Sequence, residues 1–222
     1  MKSFVITILD NPKSVQAAER CIKSMPDFNV EKWEAFTPSS CNVYEEFENR
    51  GFDHQGFDPQ GGKVYSFKEN AMAAFLSHTS IWMWCEDNNE EVQIFEHDAV
   101  ATGFVPRFIG YNKCISLGKP SYGNYKIAPR IGVHPLFSKP YFPGAHAYRM
   151  KPAGAKLLLA GAKKHAQPTD IFLNNTHFPW LEEYYPWTID ANDSFTTIQR
   201  ELGCRAKHNW DGGETFQIIH ED

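Results

Sequence analysis

The stretch FVITILDNPKSVQAAERCIKS, residues 4–24, decides the fold class. Its first six residues form a continuous apolar run with several β-branched side chains, a pattern typical of a strand buried on both faces. Asp10-Asn11-Pro12 predicts a turn and a helix N-cap, and residues 14–24 predict a helix with one apolar side. A strand, a polar turn and a helix in this order are how nucleotide-binding α/β folds usually begin.

Apolar spacing predicts further elements along the chain. Two more helices are expected at residues 69–86 and 152–165, and shorter strands are expected at residues 33–36, 91–96 and 194–198. Residues 39–68 show no sustained period and are interpreted as a long active-site or mobile loop. Residues 174–222 are interpreted as an aromatic, largely irregular segment. The sequence therefore predicts one α/β domain over residues 1–222, with a Rossmann-like mixed sheet flanked by helices.

Composition limits the class of protein. The 42% hydrophobic residues favour a packed globular core, and the net charge of −5 gives no overall basic field for nucleic acid or an anionic membrane. The five cysteines are odd in number, widely spaced and without a C-x-x-C pair, which is typical of reduced thiols. No apolar run is long enough to span a bilayer, and no signal peptide is recognisable, so a cytoplasmic protein is expected.

The predicted strand VQIFEHDAV, residues 92–100, ends in two carboxylates and an imidazole. Residues two apart in a strand point to the same side, so Glu96 and Asp98 are expected to share one face and His97 the other. Ligands bind at the carboxyl ends of strands in open α/β sheets, where Mg²⁺ or Mn²⁺ takes one or two carboxylates together with substrate phosphates. The spacing suits a divalent-metal site, although a solvated loop after a buried strand explains the same residues.

Four stretches, taken in order, resemble glycosyltransferase family 25, the group that includes bacterial lipooligosaccharide galactosyltransferases and collagen galactosyltransferases. They are FVITILDNPKSVQAAER (4–20), AAFLSHTSIWMWCEDNNEEVQIFEHDAV (73–100), GAHAYRMKPAGAKLLLAGAKKHAQPTDIFL (144–173) and DSFTTIQ (193–199). The chain departs from the family at His97, where the family has the central Asp of Glu-Asp-Asp. The outer carboxylates, Glu96 and Asp98, are retained.

The resemblance implies a GT-A fold, a nucleotide-sugar donor (a UDP-sugar is expected) and a divalent metal, Mn²⁺ or Mg²⁺, that bridges the diphosphate. Asp98 is the expected direct metal ligand, with Glu96 either ligating or holding the ribose hydroxyls. His208, in Lys207-His208-Asn209, is the expected late metal histidine, and an exposed polar residue is its alternative. The donor-binding residues that the resemblance implies are Ile8, Leu9, Asp10, Arg20, Ser77, His78 and Glu96.

Two of these donor-binding assignments have competing explanations. For Arg20, a surface salt bridge is favoured over a phosphate contact. For His78, which lies on a helix among apolar residues, a packed and hydrogen-bonded role is equally supported. His146 and His177 are expected near the cleft without an assigned role.

Sugar transfer also requires a group that takes the proton of the acceptor hydroxyl, and an inverting enzyme uses a carboxylate. Asp170 in the family-like Pro-x-Asp segment is the candidate base, and a helix N-cap is the equally supported alternative for it. Glu182 and Glu183 are the reserve candidates.

The acceptor is not specified by any motif. Aromatic rings at Trp180, Tyr184, Tyr185 and Trp187, with the cation of Arg130, are predicted to bind it, because both sugars and bases stack on aromatic side chains. A saccharide is favoured. The alternative is a hydroxymethylated base, such as hydroxymethylcytosine, in phage-type duplex DNA. That alternative requires a basic patch formed by Lys119, Lys126, Arg130, Lys139, Arg149 and Lys151.

Two other classes of protein remain as hypotheses. A metal-dependent nucleotide hydrolase would also use carboxylates at strand ends, but it normally needs more acidic ligands than Glu96 and Asp98 supply. A nucleotide-sugar-binding module without catalytic activity would keep the fold and lose the metal.

Overall fold

The computed structural model of the chain describes residues 1–58, 67–121, 123–142, 145–192 and 197–198, and the backbone of residues 195–196 and 217–218. The helices among these residues are α1 (Pro12–Ser24), α2 (Val43–Arg50), α3 (Lys68–Asp87), α4 (Pro152–His165) and α5 (Thr169–Phe172). The strands are β1 (Lys2–Thr7), β2 (Val30–Glu34), β3 (Val92–Glu96), β4 (Ala99–Ala101), β5 (Cys114–Ser116), β6 (Gly132–Pro135), β7 (Ala147–Met150), β8 (Leu181–Tyr185), β9 (Ile189–Ala191), β10 (Phe195–Thr196) and β11 (Gln217–Ile218). A short 3-10 helix spans Gln55–Phe57.

Seven of the described strands form one mixed sheet in the order β2-β1-β3-β7-β5-β8-β6. Strands β2, β1 and β3 pair in parallel, and so do β5 and β8, whereas β7 and β6 pair antiparallel to their neighbours. Strand β7 is antiparallel to both β3 and β5. The five strands of the two parallel groups, β2, β1, β3, β5 and β8, therefore all run in one direction. Strands β4 and β9 form a separate two-stranded antiparallel sheet.

Helices cover both faces of the seven-stranded sheet. On one face, α1 buries Ala18 and Cys21 against Val5 and Phe95. On the other face, α3 and α4 pack over a larger core that includes Ile94 and the aromatic side chains of α3. The chain is therefore a mixed α/β fold with a seven-stranded sheet flanked by helices, an arrangement consistent with the predicted Rossmann-like class.

Several predicted elements are confirmed. The opening strand, turn and helix are β1, the Asn11 N-cap and α1, whose cap accepts hydrogen bonds from the backbone of Lys13 and Ser14. The helices expected at residues 69–86 and 152–165 are α3 and α4. The strand expected at residues 91–96 is β3, and the one expected near residue 33 is β2, which begins three residues earlier.

Two predictions of irregular structure are wrong. Residues 39–68 contain α2, whose Asn42 N-cap and left-handed Gly51 at its C-terminus (φ 65°) are sequence signals for a helix. The aromatic segment after residue 174 contains β8, which lies inside the sheet between β5 and β6. Prolines flank β8 without interrupting it, because Pro179 and Pro186 both lie outside its bounds.

Two further properties concern the class of protein. Within the described residues, no helix has the length and apolar character needed to cross a membrane. Cys21, Cys41, Cys85 and Cys114 are free thiols, and Cys204 lies outside the described residues.

Candidate functional site

The carboxyl ends of the parallel strands meet at one edge of the sheet. Strand β1 lies between β2 and β3, and the connections to these neighbours pass over opposite faces through α1 and α3. The crevice between the ends of β1 and β3 is therefore the topological switch point, where open α/β sheets bind ligands. Residues 8–11 and 96–98 border this crevice.

Glu96, the last residue of β3, is hydrogen-bonded to a buried chain of polar side chains. Its Oε1 lies 3.1 Å from Nε2 of His78 in α3. The Nδ1 of His78 lies 2.9 Å from the hydroxyl of Tyr148 in β7, and this hydroxyl accepts a 2.8 Å hydrogen bond from the indole Nε1 of Trp82. We call these four residues the Glu96 hydrogen-bond chain. Three of them are buried, whereas the side chain of Glu96 keeps 37% exposure and so can meet a ligand.

Two of these hydrogen bonds have a direction set by the groups themselves. The indole of Trp82 can only donate, so the Tyr148 hydroxyl accepts that bond and can offer its own proton to Nδ1 of His78. Burial raises the pKa of Tyr148 well above its ordinary value, which keeps that proton in place. An ionised Glu96 can only accept, so Nε2 of His78 donates to it.

Two further histidines lie near Glu96. Nδ1 of His97 is 3.1 Å from Oγ of Ser14, and the same Oγ accepts a 2.9 Å hydrogen bond from the backbone of Ile8. His146, which directly precedes β7, accepts the backbone N–H of Glu96 with its carbonyl oxygen. Three imidazoles thus lie near Glu96, and those of His78 and His146 are buried.

These histidines determine the charge of Glu96. Partial burial alone would raise the pKa of Glu96, but the hydrogen bond from His78, together with the electrostatic effect of His78, His146 and His97, outweighs that effect. The pKa of Glu96 is therefore held below its ordinary value of 4.5, and Glu96 is a carboxylate at neutral pH.

The structure corrects the argument that joined Asp98 to Glu96. Strand β3 ends at Glu96, and residues 97 and 98 form a turn before β4. Glu96 contacts His78 in α3 and His97 contacts Ser14 in α1, so these two side chains point to opposite faces of the sheet, but strand alternation does not extend to Asp98. The charge of Asp98 contributes to raising the pKa of the Cys21 thiol, second to burial, so Asp98 lies near α1. Glu96 and Asp98 therefore do not lie on one continuous strand.

A divalent metal at this crevice would need ligands from the substrate. Among the residues that the structure describes, no three His, Cys, Asp or Glu side chains are grouped so that they could hold a metal ion. Residues 96 and 98 border the crevice by their place in the chain, and carboxylate oxygens are hard donors of the kind that bind Mg²⁺ or Mn²⁺ beside phosphate oxygens. His208, the third expected ligand, lies outside the described residues.

The expected donor-binding residues occupy different surroundings. Ile8 is buried at the end of β1, whereas Leu9 and Asp10 are exposed in the turn that borders the crevice. Arg20 donates from Nη2 to the backbone oxygen of Asn192 at 3.3 Å. Leu9 and Asp10 are thus the two of these residues best placed to meet a ligand.

Ser77 and His78 do not face the crevice. The Oγ of Ser77 accepts the backbone N–H of Phe36 and donates to the backbone oxygen of Ala73, both at 2.9 Å. Ser77 is 1% exposed and His78 is 2% exposed, so a direct contact of either side chain with a donor would require rearrangement.

The three base candidates lie apart. Asp170 is in the first turn of α5 and accepts the backbone N–H of the next residue, while the N-cap position is Pro168. Glu183 is buried, and its Oε1 accepts the backbone N–H groups of Phe137 and Ser138 at 3.0 and 2.8 Å. Glu182, on the other face of β8, is hydrogen-bonded to Asn112. Both glutamates therefore fix loops in position, and Asp170 stays a prediction.

The expected acceptor aromatics do not form one platform. Trp180 precedes β8 at the amino edge of the sheet, where the Lys113 ammonium lies 5.6 Å from its ring. Tyr184 packs into the core under α1. At the carboxyl edge, the Trp187 ring contacts those of Tyr185 and Tyr125 edge to face, with centroids 5.2 and 5.3 Å apart. The sequence analysis did not identify Tyr125, because no sequence pattern links Tyr125 to Trp187.

The predicted basic patch is not a single surface. Arg149 is 1% exposed and donates to Gln93 and to the backbone oxygens of Pro106 and Arg107. Lys151 follows β7 at the amino edge, whereas Lys119 lies at the carboxyl edge and is paired with Asp190 at 2.9 Å. Arg130 is exposed in the loop before β6. These residues therefore do not form the basic patch that the DNA acceptor requires.

Comparison with known proteins adds no identification: no protein-family model matches the chain, and no curated protein matches it significantly. The resemblance to glycosyltransferase family 25 consequently stays a prediction.

Proposed function

We propose that the chain is a metal-dependent glycosyltransferase of GT-A type that uses a nucleotide-sugar donor, a UDP-sugar, and a hydroxyl acceptor. The observation that carries this proposal is the ionised Glu96 carboxylate, held at the end of β3 in the switch-point crevice. A ligand at this position meets a fixed negative charge beside the β1–α1 turn, as a metal-bound diphosphate requires.

Glu96 and Asp98 would hold the divalent ion, which supplies positive charge to neutralise the departing diphosphate. In an inverting transfer, the acceptor oxygen bonds to the anomeric carbon as the bond from that carbon to the diphosphate breaks. The acceptor proton passes to a carboxylate base, for which Asp170 is the candidate. A saccharide is the proposed acceptor, and Tyr125, Tyr185 and Trp187 offer rings at the edge where it would arrive.

The proposal is tested by UDP release from a panel of UDP-sugars, with Mn²⁺ or with a chelator, and with saccharide or hydroxymethylcytosine-containing duplex acceptors. We expect Mn²⁺-dependent release that Glu96→Gln and Asp98→Asn reduce by at least ~100-fold. Glu91→Gln is the matched control, because Glu91 lies just before β3, at its opposite end, and accepts the Tyr111 hydroxyl there.

Three results would contradict parts of this proposal. Absence of both UDP-sugar binding and UDP release would overturn it. Binding without transfer to any acceptor would identify a binding module. Transfer to the modified duplex alone would replace the saccharide with DNA.

A further inference from the structure

The Ser77–His78 pair in α3 fixes the ends of two parallel strands. Ser77 accepts the backbone N–H of Phe36, two residues after β2, and His78 donates to Glu96 at the end of β3. One turn of a buried helix thus contacts the carboxyl ends of both strands. Neither side chain is exposed enough to act on a ligand directly.

The Glu96 hydrogen-bond chain is continuous. Trp82 donates to the hydroxyl of Tyr148, this hydroxyl pairs with Nδ1 of His78, and Nε2 of His78 pairs with Glu96. Buried polar groups are costly unless they are paired, so three polar side chains inside an apolar core need a reason to be there. This chain of bonds leads from the core under α3 to a carboxylate at the crevice.

We propose that His78, Tyr148 and Trp82 are positioning residues that fix one oxygen of Glu96 and thereby aim the other at the ligand in the crevice. The identity of that ligand, a metal-bound nucleoside diphosphate, rests on the proposed function. The resemblance implies donor binding for His78, whereas the geometry gives it an indirect role through Glu96.

The positioning role depends on rigid supports. His78 and Trp82 are four residues apart on α3, and Tyr148 lies within β7, so the three groups are held by regular elements rather than by loops. A carboxylate with one anchored oxygen loses less rotational freedom when a ligand binds, and outer-shell partners of this kind typically change metal affinity about 10–100-fold.

Tyr148→Phe is the decisive variant, because it removes one oxygen and keeps the ring in the core. Without the hydroxyl, Nδ1 of His78 has no partner and the imidazole is held only by its hydrogen bond to Glu96. Tyr111→Phe is the matched control, since Tyr111 is also buried and donates to a carboxylate, that of Glu91 at 2.8 Å, away from the crevice.

Nitrogen-15 NMR of histidine-labelled protein reads the tautomer directly. We expect Nε2 of His78 to carry a proton in the wild type and in both variants, because the Glu96 carboxylate can only accept, and we expect the Nδ1 signal of His78 to shift in Tyr148→Phe but not in Tyr111→Phe. Calorimetry with UDP and Mn²⁺ should show about 10-fold weaker binding for Tyr148→Phe and unchanged binding for Tyr111→Phe.

A conservative rescue separates positioning from general stability. The amide of Gln reaches the place of Nε2, so His78→Gln should retain more affinity for UDP with Mn²⁺ than His78→Ala. Absence of a proton on Nε2 of wild-type His78, or an unchanged Nδ1 signal in Tyr148→Phe, would overturn the inference. Equal affinities of the two His78 variants would do so too. If the wild type binds no UDP with Mn²⁺, the proposed function fails, and the NMR result still decides whether the chain of hydrogen bonds exists.

Discussion

The ring of His146 lies against the backbone of Gly118. A Cβ atom at residue 118 would meet Nε2 of His146 at 2.5 Å and Cε1 at 2.8 Å, both below normal contact. His146 is buried beside Glu96, so the ring has no free space into which it can move. The absence of a side chain at residue 118 therefore sets the position of an imidazole beside the candidate site.

Gly118→Ala should lower the free energy of unfolding by about 1–3 kcal/mol, because the added methyl overpacks a closed site. Gly103→Ala is the control, since a Cβ there meets nothing within 4 Å. Urea denaturation of both variants measures the difference. Equal stabilities would show that the His146 ring rotates away at little cost.

Glu96 should also make stability depend on pH. Its folded-state pKa lies below the ordinary 4.5, so its charge contributes stability above that value, and the contribution is lost as pH falls through the lower folded-state pKa. The stability difference between wild type and Glu96→Gln should therefore shrink as pH falls from about 6 to about 3. Thermal unfolding across that range measures it. A difference that stays constant or grows would contradict the lowered pKa.

The orientation of a single side chain was predictable only where that residue lies within a helix or strand. Strand alternation described Glu96 because β3 extends to that residue. It failed at Asp98 because the chain turns there, and no sequence signal marks that turn. The partners of His78 were not predictable either, since Tyr148 is 70 residues away and pairs with it only through the sheet.

At the scale of elements, Ser14 joins β1, α1 and the end of β3. Its buried Oγ accepts the backbone N–H of Ile8 and contacts Nδ1 of His97. The first turn of α1 is thus tied to both sides of the crevice, whereas the Asn11 cap satisfies only backbone groups of its own helix.

Ser14→Ala should cost about 1–3 kcal/mol of stability, because the backbone N–H of Ile8 is left buried without an acceptor. Asn11→Ala, the control, should cost about 1 kcal/mol through the lost helix cap. Hydrogen exchange distinguishes the two variants: the amide of Ile8 should exchange faster in Ser14→Ala only. Faster exchange at Ile8 in both variants would mean that the helix end, not Ser14, holds the strand.

Helices were predicted better than strands for a physical reason. Helices α1, α3 and α4 are stabilised by contacts within one segment, so their apolar spacing and caps are readable locally. Strands β5 to β8 are three to five residues long, and their formation depends on partners far along the chain. β8 contains two glutamates, and Glu183 is buried there only because the loop after β6 supplies two backbone donors.

At the scale of the whole molecule, the fold separates basic residues that lie close together in the sequence. Residues 99–169 contain eleven Lys and Arg and no Asp or Glu, while all 27 acidic residues lie outside this segment. In the fold, Arg149 is buried, Lys119 pairs with Asp190, and Lys113 and Lys151 lie over aromatic rings at the amino edge. A run of charge along the chain therefore does not become one surface.

A ligand that binds at the carboxyl edge of the sheet should make the backbone around the crevice more rigid. UDP with Mn²⁺ should slow backbone hydrogen exchange at residues 8–11 and 96–98, which border the crevice, and should leave Lys113 and Lys151 at the amino edge unchanged. At a ligand concentration ~100 times the dissociation constant, global stability should rise by about 2.7 kcal/mol. The Glu96→Gln variant should show neither effect at the same concentration, because the charge that faces the ligand is gone. Protection at the amino edge instead would move the binding site to the opposite end of the sheet and contradict the assignment of the crevice.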